Sequence, residues 1–303
     1  MKWEDFQSSQ NVEDRRGDDQ YAGGGYSGGG IGAGHIGLGT IIILGLVSYV
    51  TGINPALLLG GAEALKHVTS GGPAAQHSAQ RPRQEGAPTD QLGQFVAKIL
   101  GENEEVWSQV LPEQKGIQFR PPKLVLFDGQ TDSGCGAAQS AMGPFYCPMD
   151  QRIYLDTSFF RDMKTRFGGG GDFAYAYVIS HEMGHHIENQ LGILPQVHRA
   201  QERAASRAQA NALSVRIELM ADCLAGVWAA NGNAKRQFLE PGDVERAVAT
   251  AQAIGDDRLQ RAARGVAVPD SFTHGSSAQR VEWLQRGLQS GQIDSCNTFG
   301  NQL

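Results

Sequence analysis

His181 and His185 flank Glu182 in the run His181-Glu182-Met183-Gly184-His185. On a helix of 3.6 residues per turn the two imidazoles stack on one face, and the carboxylate between them projects from the flank. The chemistry that uses this spacing is metal-assisted hydrolysis. Two neutral imidazoles take Zn²⁺ at about 2.0–2.1 Å and leave a position open to water, while the neighbouring carboxylate removes the water's proton as it attacks a peptide carbonyl. With 8 histidines in 303 residues, chance supplies such a pattern in about one chain per hundred, so it needs companions.

Two histidines leave the site one protein ligand short. Glu218 and Asp222 lie four apart, on one face of what reads as the next long helix. Enough chain separates Glu218 from His185 for the second helix to turn back against the first. Glu218 would complete a His₂Glu zinc site. Asp222, one turn on, could accept a hydrogen bond from the far nitrogen of a ligand imidazole and fix its tautomer. Leu213, Ile217, Leu219, Leu224 and Trp228 around them argue for burial, where unpaired carboxylates are costly. His274, in Thr273-His274-Gly275-Ser276-Ser277, is a candidate donor to the oxyanion of a tetrahedral intermediate. The alternative makes it a loop histidine beside a serine that caps the next helix. Arg280 either orients a carboxylate or is solvated. His186 points roughly 100° away from His185 and is not expected to be a ligand. Asp256-Asp257 reads as a solvated turn.

These residues must be held by a compact domain, and the chain divides unevenly. Residues 1–35 are acidic and glycine-rich, the composition of a disordered tail. No Asp, Glu, Lys or Arg occurs from Gln20 to Ala62, and Ile36 to Ile53 is almost wholly apolar. At about 1.5 Å per residue that stretch reaches about 27 Å, close to the roughly 30 Å hydrocarbon core of a bilayer, and predicts one transmembrane helix. A cleaved signal peptide is the rival, disfavoured by the long acidic leader. The arginines before the span favour an N-terminus inside the cell. Residues 54–90, with Pro55, Pro73, Pro82 and Pro88, read as a flexible linker, and residues 91–303 as the catalytic domain.

Within that domain Leu92, Phe95, Val96, Ile99 and Leu100 are spaced for an amphipathic helix. Lys123–Phe127 and Gln151–Asp156 read as strands of a small antiparallel sheet. Four glycines, Gly168 to Gly171, precede the helix bearing the paired histidines. Further helices are expected from about Arg199 to Ala230, Asp243 to Arg264 and Ser277 to Gln289. The net charge of -6 and pI near 5.8 give no reason to expect a nucleic-acid partner. Outside the cytoplasm Cys135, Cys147, Cys223 and Cys296 permit two disulfides, Cys135 with Cys147 closing a short loop; free buried thiols are the alternative.

Several longer motifs carry a resemblance. They are Asn11-Val12-Glu13-Asp14-Arg15-Arg16-Gly17, Gly143-Pro144-Phe145-Tyr146-Cys147-Pro148, Tyr154-Leu155-Asp156 and His181 through His186. Glu218-Leu219-Met220-Ala221-Asp222-Cys223, Ile254-Gly255-Asp256-Asp257 and Thr273-His274-Gly275-Ser276 with Gln279-Arg280 extend it almost end to end. With them the chain resembles the bacterial putative neutral zinc metallopeptidases, membrane-anchored and gluzincin-like. The resemblance implies an α+β, mostly helical, zincin-like metallopeptidase domain preceded by a single transmembrane helix. It implies zinc on His181, His185 and Glu218, Glu182 as base, and a peptide or protein substrate. It also suggests likeness in layout to the heat-shock and CaaX-processing membrane metallopeptidases, with Gln151 to Asp156 as the sheet edge that receives extended substrate. The expected location is the bacterial inner membrane, with the domain in the periplasm or cell exterior. The rival expectation is a catalytically silent, zinc-stabilised membrane scaffold that binds a partner.

Overall fold

The computed structural model describes residues 1–17, 84–85, 88–139, 143–166 and 170–300. The predicted span Ile36–Ile53 and most of the predicted linker lie outside these residues. Among the described residues no helix is long and apolar enough to cross a membrane.

A five-stranded sheet, ordered β2-β1-β3-β7-β6, forms one wall. Its strands are β1 (Val12–Asp14), β2 (Gln84–Glu85), β3 (Lys123–Phe127), β6 (Phe145–Cys147) and β7 (Arg152–Asp156). β1, β3 and β7 run parallel, with Leu124 opposite Val12 on one side and Ile153 on the other. β2 and β6 run antiparallel at the two edges. The sheet is therefore mixed, and the expected antiparallel pairing of Lys123–Phe127 with Arg152–Asp156 is corrected. The chain between them first makes a separate hairpin, β4 (Gln130–Ser133) with β5 (Gly136–Gln139). It then returns as β6, which takes the antiparallel place beside β7. Arg152–Asp156 is thereby interior, and the edge on that side is β6, not the expected 151–156 segment.

Residues 1–17 are part of this body, a second correction to the expected tail. Their acidic composition is satisfied internally. Glu13 receives Arg15 Nε at 2.8 Å and Arg152 Nη1 at 2.7 Å. The Met1 amino group lies 3.0 Å from both Glu240 and Asp243. Phe6 meets Phe238 edge-on, and Val12 is fully enclosed.

Helices cover the wall. α1 (Gln91–Lys115) starts where Asp90 caps Gly93 N–H and ends at left-handed Gly116. It buries Phe95, Ile99, Trp107 and Leu111; each such side chain contributes about 1.5–3 kcal/mol when removed from water. After α2 (Ser158–Arg166) comes α3 (Asp172–Gln190), buried on nearly every side, as a central helix with little amphipathic character must be. α4 (Ile193–Glu202) and α5 (Arg207–Arg236) replace the single expected helix from Arg199. The helix is interrupted at residues 203–206, and Ser206 caps a new start. α6 (Asp243–Ala253) and α7 (Asp256–Arg264) likewise divide the expected 243–264 helix at Ile254-Gly255. α8 (Ser277–Ser290) opens with a capping box between Ser276 and Gln279.

Two glycines set the spacing that matters for the site. A Cβ at Gly184 on α3 would stand 3.0 Å from the Ala221 backbone on α5, so these helices cross with main chains nearly touching. A Cβ at Gly287 on α8 would fall 1.9 Å from the Cys223 carbonyl oxygen. The same turn of α5 is thus pressed by α3 from one side and α8 from the other. Disulfide Cys223–Cys296 fastens the C-terminal segment to that turn, and Cys135–Cys147 ties the hairpin to β6.

Candidate metal centre

The crossing of α3 and α5 brings His181, His185 and Glu218 together, with one donor atom from each within 4.8 Å of the others. His181 Nε2 is 3.2 Å from Glu218 Oε2, and His185 Nε2 is 3.6 Å from Glu218 Oε1. Donors on a tetrahedral ion with bonds of about 2.0–2.1 Å are about 3.3 Å apart. Both nitrogen–carboxylate separations are close to that value, and the two-nitrogen, one-carboxylate set suits zinc chemically.

Each imidazole is aimed by a carboxylate behind it. His181 Nδ1 donates to Asp222 Oδ1 at 2.8 Å, and His185 Nδ1 donates to Glu188 Oε2 at 2.8 Å. With both Nδ1 atoms so engaged, both Nε2 atoms face Glu218, the tautomer a metal ligand needs. Asp222 is wholly buried and is itself held by Arg280, whose Nε and Nη2 donate at 2.8 and 2.9 Å. The Tyr177 hydroxyl adds a third donor at 2.5 Å.

The electrostatics follow from this packing. Burial would raise the Asp222 carboxyl, but Arg280 and His181 hold it down at about 2. Glu218 is likewise raised by burial and lowered overall by His274, His185 and His181 around it. His181 loses charge stability by burial, yet Asp222 and Glu218 lift it to about 10. Glu188 is pushed up to about 7 by burial, against the pull of His185. Burial also pushes Glu182 up, opposed by His181 and His185. Glu182 is thus an enclosed carboxylate beside the two imidazoles, with a raised proton affinity suited to a base.

Burial would lower the His274 pKa, but the Glu218 and Asp256 carboxylates outweigh it and raise it overall. Its segment is built around Asp256. One carboxylate oxygen of Asp256 accepts the backbone N–H groups of Thr273, His274 and Gly275 at 2.6, 2.7 and 3.1 Å. The other lies 3.3 Å from His274 Nδ1. Asp256 is therefore buried and anchored, which corrects its reading as a solvated turn. The helix is interrupted at Ile254-Gly255, where Gly255 is extended, and Asp256 is the first residue of α7.

His186 is turned away as its angle on the helix requires. It is buried between Tyr146 on β6 and the Arg120 carbonyl, which its Nε2 meets at 2.7 Å, and burial lowers it to about 4. It fastens α3 to the sheet edge. Among the residues that shape the site, Glu188 and Tyr177 were not singled out from sequence, and Asp256 was read only as part of a solvated turn. Glu188 had a legible signal, three positions after His185 on the same helix, and Tyr177 sits four before His181. The burial of Asp256 was not legible, because its partners come from a distant loop.

Fold and site define a helical α+β domain with a His₂Glu cluster formed by two histidines of α3 and a glutamate of α5. The chain belongs to the family described as putative neutral zinc metallopeptidase, which residues 1–299 match. Among its relatives is the uncharacterized protein YpfJ of Escherichia coli K12, 46% identical over 305 residues and 100% of both chains. The uncharacterized protein Rv2575 of Mycobacterium tuberculosis H37Rv is 45% identical over 204 residues, 64% of this chain and 66% of its own length. No solved structure matches.

Proposed function

We propose that the protein is a zinc-dependent peptidase whose ligands are His181, His185 and Glu218. The observation that carries this reading is the convergence of two oriented Nε2 atoms and one carboxylate at separations fitting a tetrahedral ion. A bound zinc supplies Lewis acidity there, polarising a carbonyl and making water more acidic. Glu182 receives the proton from the attacking water and returns it to the leaving amine. His274, fixed through Asp256, donates to the oxyanion. Asp222 and Glu188 keep both imidazoles in the ligating tautomer, and Arg280 keeps Asp222 ionised.

Extended substrate lies against edge strand β6, which Tyr146 and His186 join to α3. The two disulfides support an oxidising compartment, the periplasm or cell exterior. Zinc stoichiometry by elemental mass spectrometry, measured on the full chain beside Glu218→Ala and Glu182→Gln, tests the reading. One zinc per wild-type chain is expected, with loss in Glu218→Ala. Glu182→Gln should retain the metal and lose cleavage of a peptide library that the wild type cuts. A well-folded wild type without zinc would sink the proposal.

A further inference from the structure

A cavity of about 630 Å³ opens between the first half of α5, the 269–272 turn and α8. That volume falls within the roughly 300–1,000 Å³ of ordinary binding pockets, and gives room for a bulky side chain with part of the chain that bears it. Val215, Leu219, Phe272 and Trp283 form its apolar walls.

The cavity shares two elements with the candidate metal centre. On a helix of 3.6 residues per turn, Val215 stands about 60° and Leu219 about 100° round from Glu218, in the same sense. The cavity therefore runs along one flank of the carboxylate ligand. The 272–276 segment supplies the facing wall, with Phe272 and Ser276 placed two residues either side of His274. Gly275 joins the two walls. It is buried at φ +92°, and a Cβ there would stand 3.2 Å from Leu219 Cδ2 and 3.3 Å from Val215 Cγ1. The backbone beside His274 thus rests on two side chains that line the cavity.

The chemistry of the walls selects the occupant. Most of their polar groups are engaged within the protein. Ser276 and Gln279 close the capping box of α8 with each other, Thr298 Oγ1 donates to the Arg216 carbonyl at 2.8 Å, and Asn211 Nδ2 donates to the Asp270 carbonyl at 2.9 Å. The Arg216 guanidinium lies over the Phe299 ring at 5.8 Å. Arg216 and Asp270, the two charged residues on the walls, have opposite signs, so there is no net charge to draw an ion. The surface left for a guest is apolar and aromatic.

We propose that this cavity receives a large apolar side chain, aromatic or branched aliphatic, from the peptide residue next to the bond that is cut. The proposal rests on the peptidase reading for its substrate and on the cavity for the preference it sets. An extended peptide turns alternate side chains to opposite sides, and the one passing Glu218 and His274 enters the cavity. Val215 and Leu219 then touch the guest on one side and Gly275 on the other, so selection happens where His274 is seated.

The test presents the zinc-loaded full chain with peptides from a digested bacterial proteome and reads the cut sites by mass spectrometry. One fixed position next to the cut should be enriched in phenylalanine, leucine and other bulky apolar residues. Ala212→Trp, at an exposed position on the cavity wall, fills the space. Cuts at bulky residues should fall at least about tenfold, the scale on which a pocket rejects a misfitting side chain. Cuts at glycine and alanine should persist, with zinc stoichiometry and thermal midpoint unchanged. Ala208→Trp, also exposed on that wall, gives the same measurement if the first variant loses its fold. Cutting without preference beside the bond, or a preference that the folded variant leaves unchanged, overturns the proposal. A zinc-bound wild type that cuts nothing strikes the peptidase reading instead, and binding then decides the cavity's preference. Saturation transfer by NMR from the full chain to N-acetyl-phenylalaninamide, absent for N-acetyl-glycinamide and lost in Ala212→Trp, upholds it. No transfer, or transfer that the variant leaves unchanged, overturns it.

Discussion

Asp222 links the metal ligands to the core, so its removal should have two separable consequences. In Asp222→Asn the side chain keeps its shape and an oxygen that can accept from His181 Nδ1, but the charge is gone. Arg280 is only 3% exposed and sends two hydrogen bonds into this carboxylate. A buried guanidinium left without its counter-ion costs about 3–5 kcal/mol. Zinc should also bind more weakly, by about 10–100-fold, because an amide behind His181 makes a less basic ligand; that is about 1.4–2.7 kcal/mol.

Arg280→Met alone should cost similar stability, since it strands Asp222, while leaving the Asp222–His181 contact intact and zinc affinity within a few-fold of wild type. The double variant removes both charges together and should recover most of the stability without recovering zinc affinity. Urea unfolding with chelator present gives the stability arm, and competition against a zinc indicator gives the affinity arm. A coupling energy below about 0.5 kcal/mol, the level at which independent sites simply add, would refute the reasoning. So would unchanged zinc affinity in Asp222→Asn.

Glu102 on α1 is buried with neither carboxylate oxygen hydrogen-bonded. Oε2 lies 3.0 Å from Arg236 Nε without donor alignment, and burial lifts the group from 4.5 to about 7. The folded protein then holds a proton that the unfolded chain has released, so this group's contribution favours folding at low pH and is lost as pH rises from 4.5 toward about 7. Glu102→Gln should therefore gain about 1–3 kcal/mol at pH 8 and little at pH 4 by denaturant unfolding; an equal effect at both would reject the assignment. Replacing both Cys223 and Cys296 by Ser opens a loop of separation 73, against 12 for Cys135–Cys147. Loop entropy sets the losses at about 4 and 3 kcal/mol, so chemical denaturation should show the first pair as the costlier. Asp256→Ala should release the 273–275 segment, lowering peptide turnover by at least about 10-fold while zinc stoichiometry stays at the wild-type level. Zinc loss in that variant would mean that the loop supports the ligands themselves.

What the sequence made legible was whatever is encoded locally. The stacking of His181 on His185, and of Glu218 with Asp222, needs only helical periodicity, and both pairs stand where that periodicity puts them. The start of α1 at Asp90 and of α8 at Ser276 could be read from capping residues. The direction of the sheet could not. Whether Lys123–Phe127 runs parallel to Arg152–Asp156 depends on what lies between them in space, and β1 comes from a segment whose composition reads as a tail. Its charges look like solvation until Arg15 and Arg152 are found on Glu13.

The same division runs through the site. Atoms that would touch a metal sit on two helices and follow from spacing, whereas most of the atoms that aim them arrive from elsewhere. Arg280 reaches Asp222 because Gly287 lets α8 press against the Cys223 carbonyl; Asp256 reaches the 273–275 loop because α7 begins with a break at Gly255. A glycine therefore carries as much of the site's geometry as a charged residue does. Gly184 shows this most directly, since it stands inside the five-residue run that holds both histidines. Its missing side chain lets the backbone of α5 approach closely enough for Glu218 to lie within 3.2 Å of His181 Nε2. A methyl group there would push the two helices apart by a few tenths of an ångström or more, and three donors spaced for one ion have little room for that.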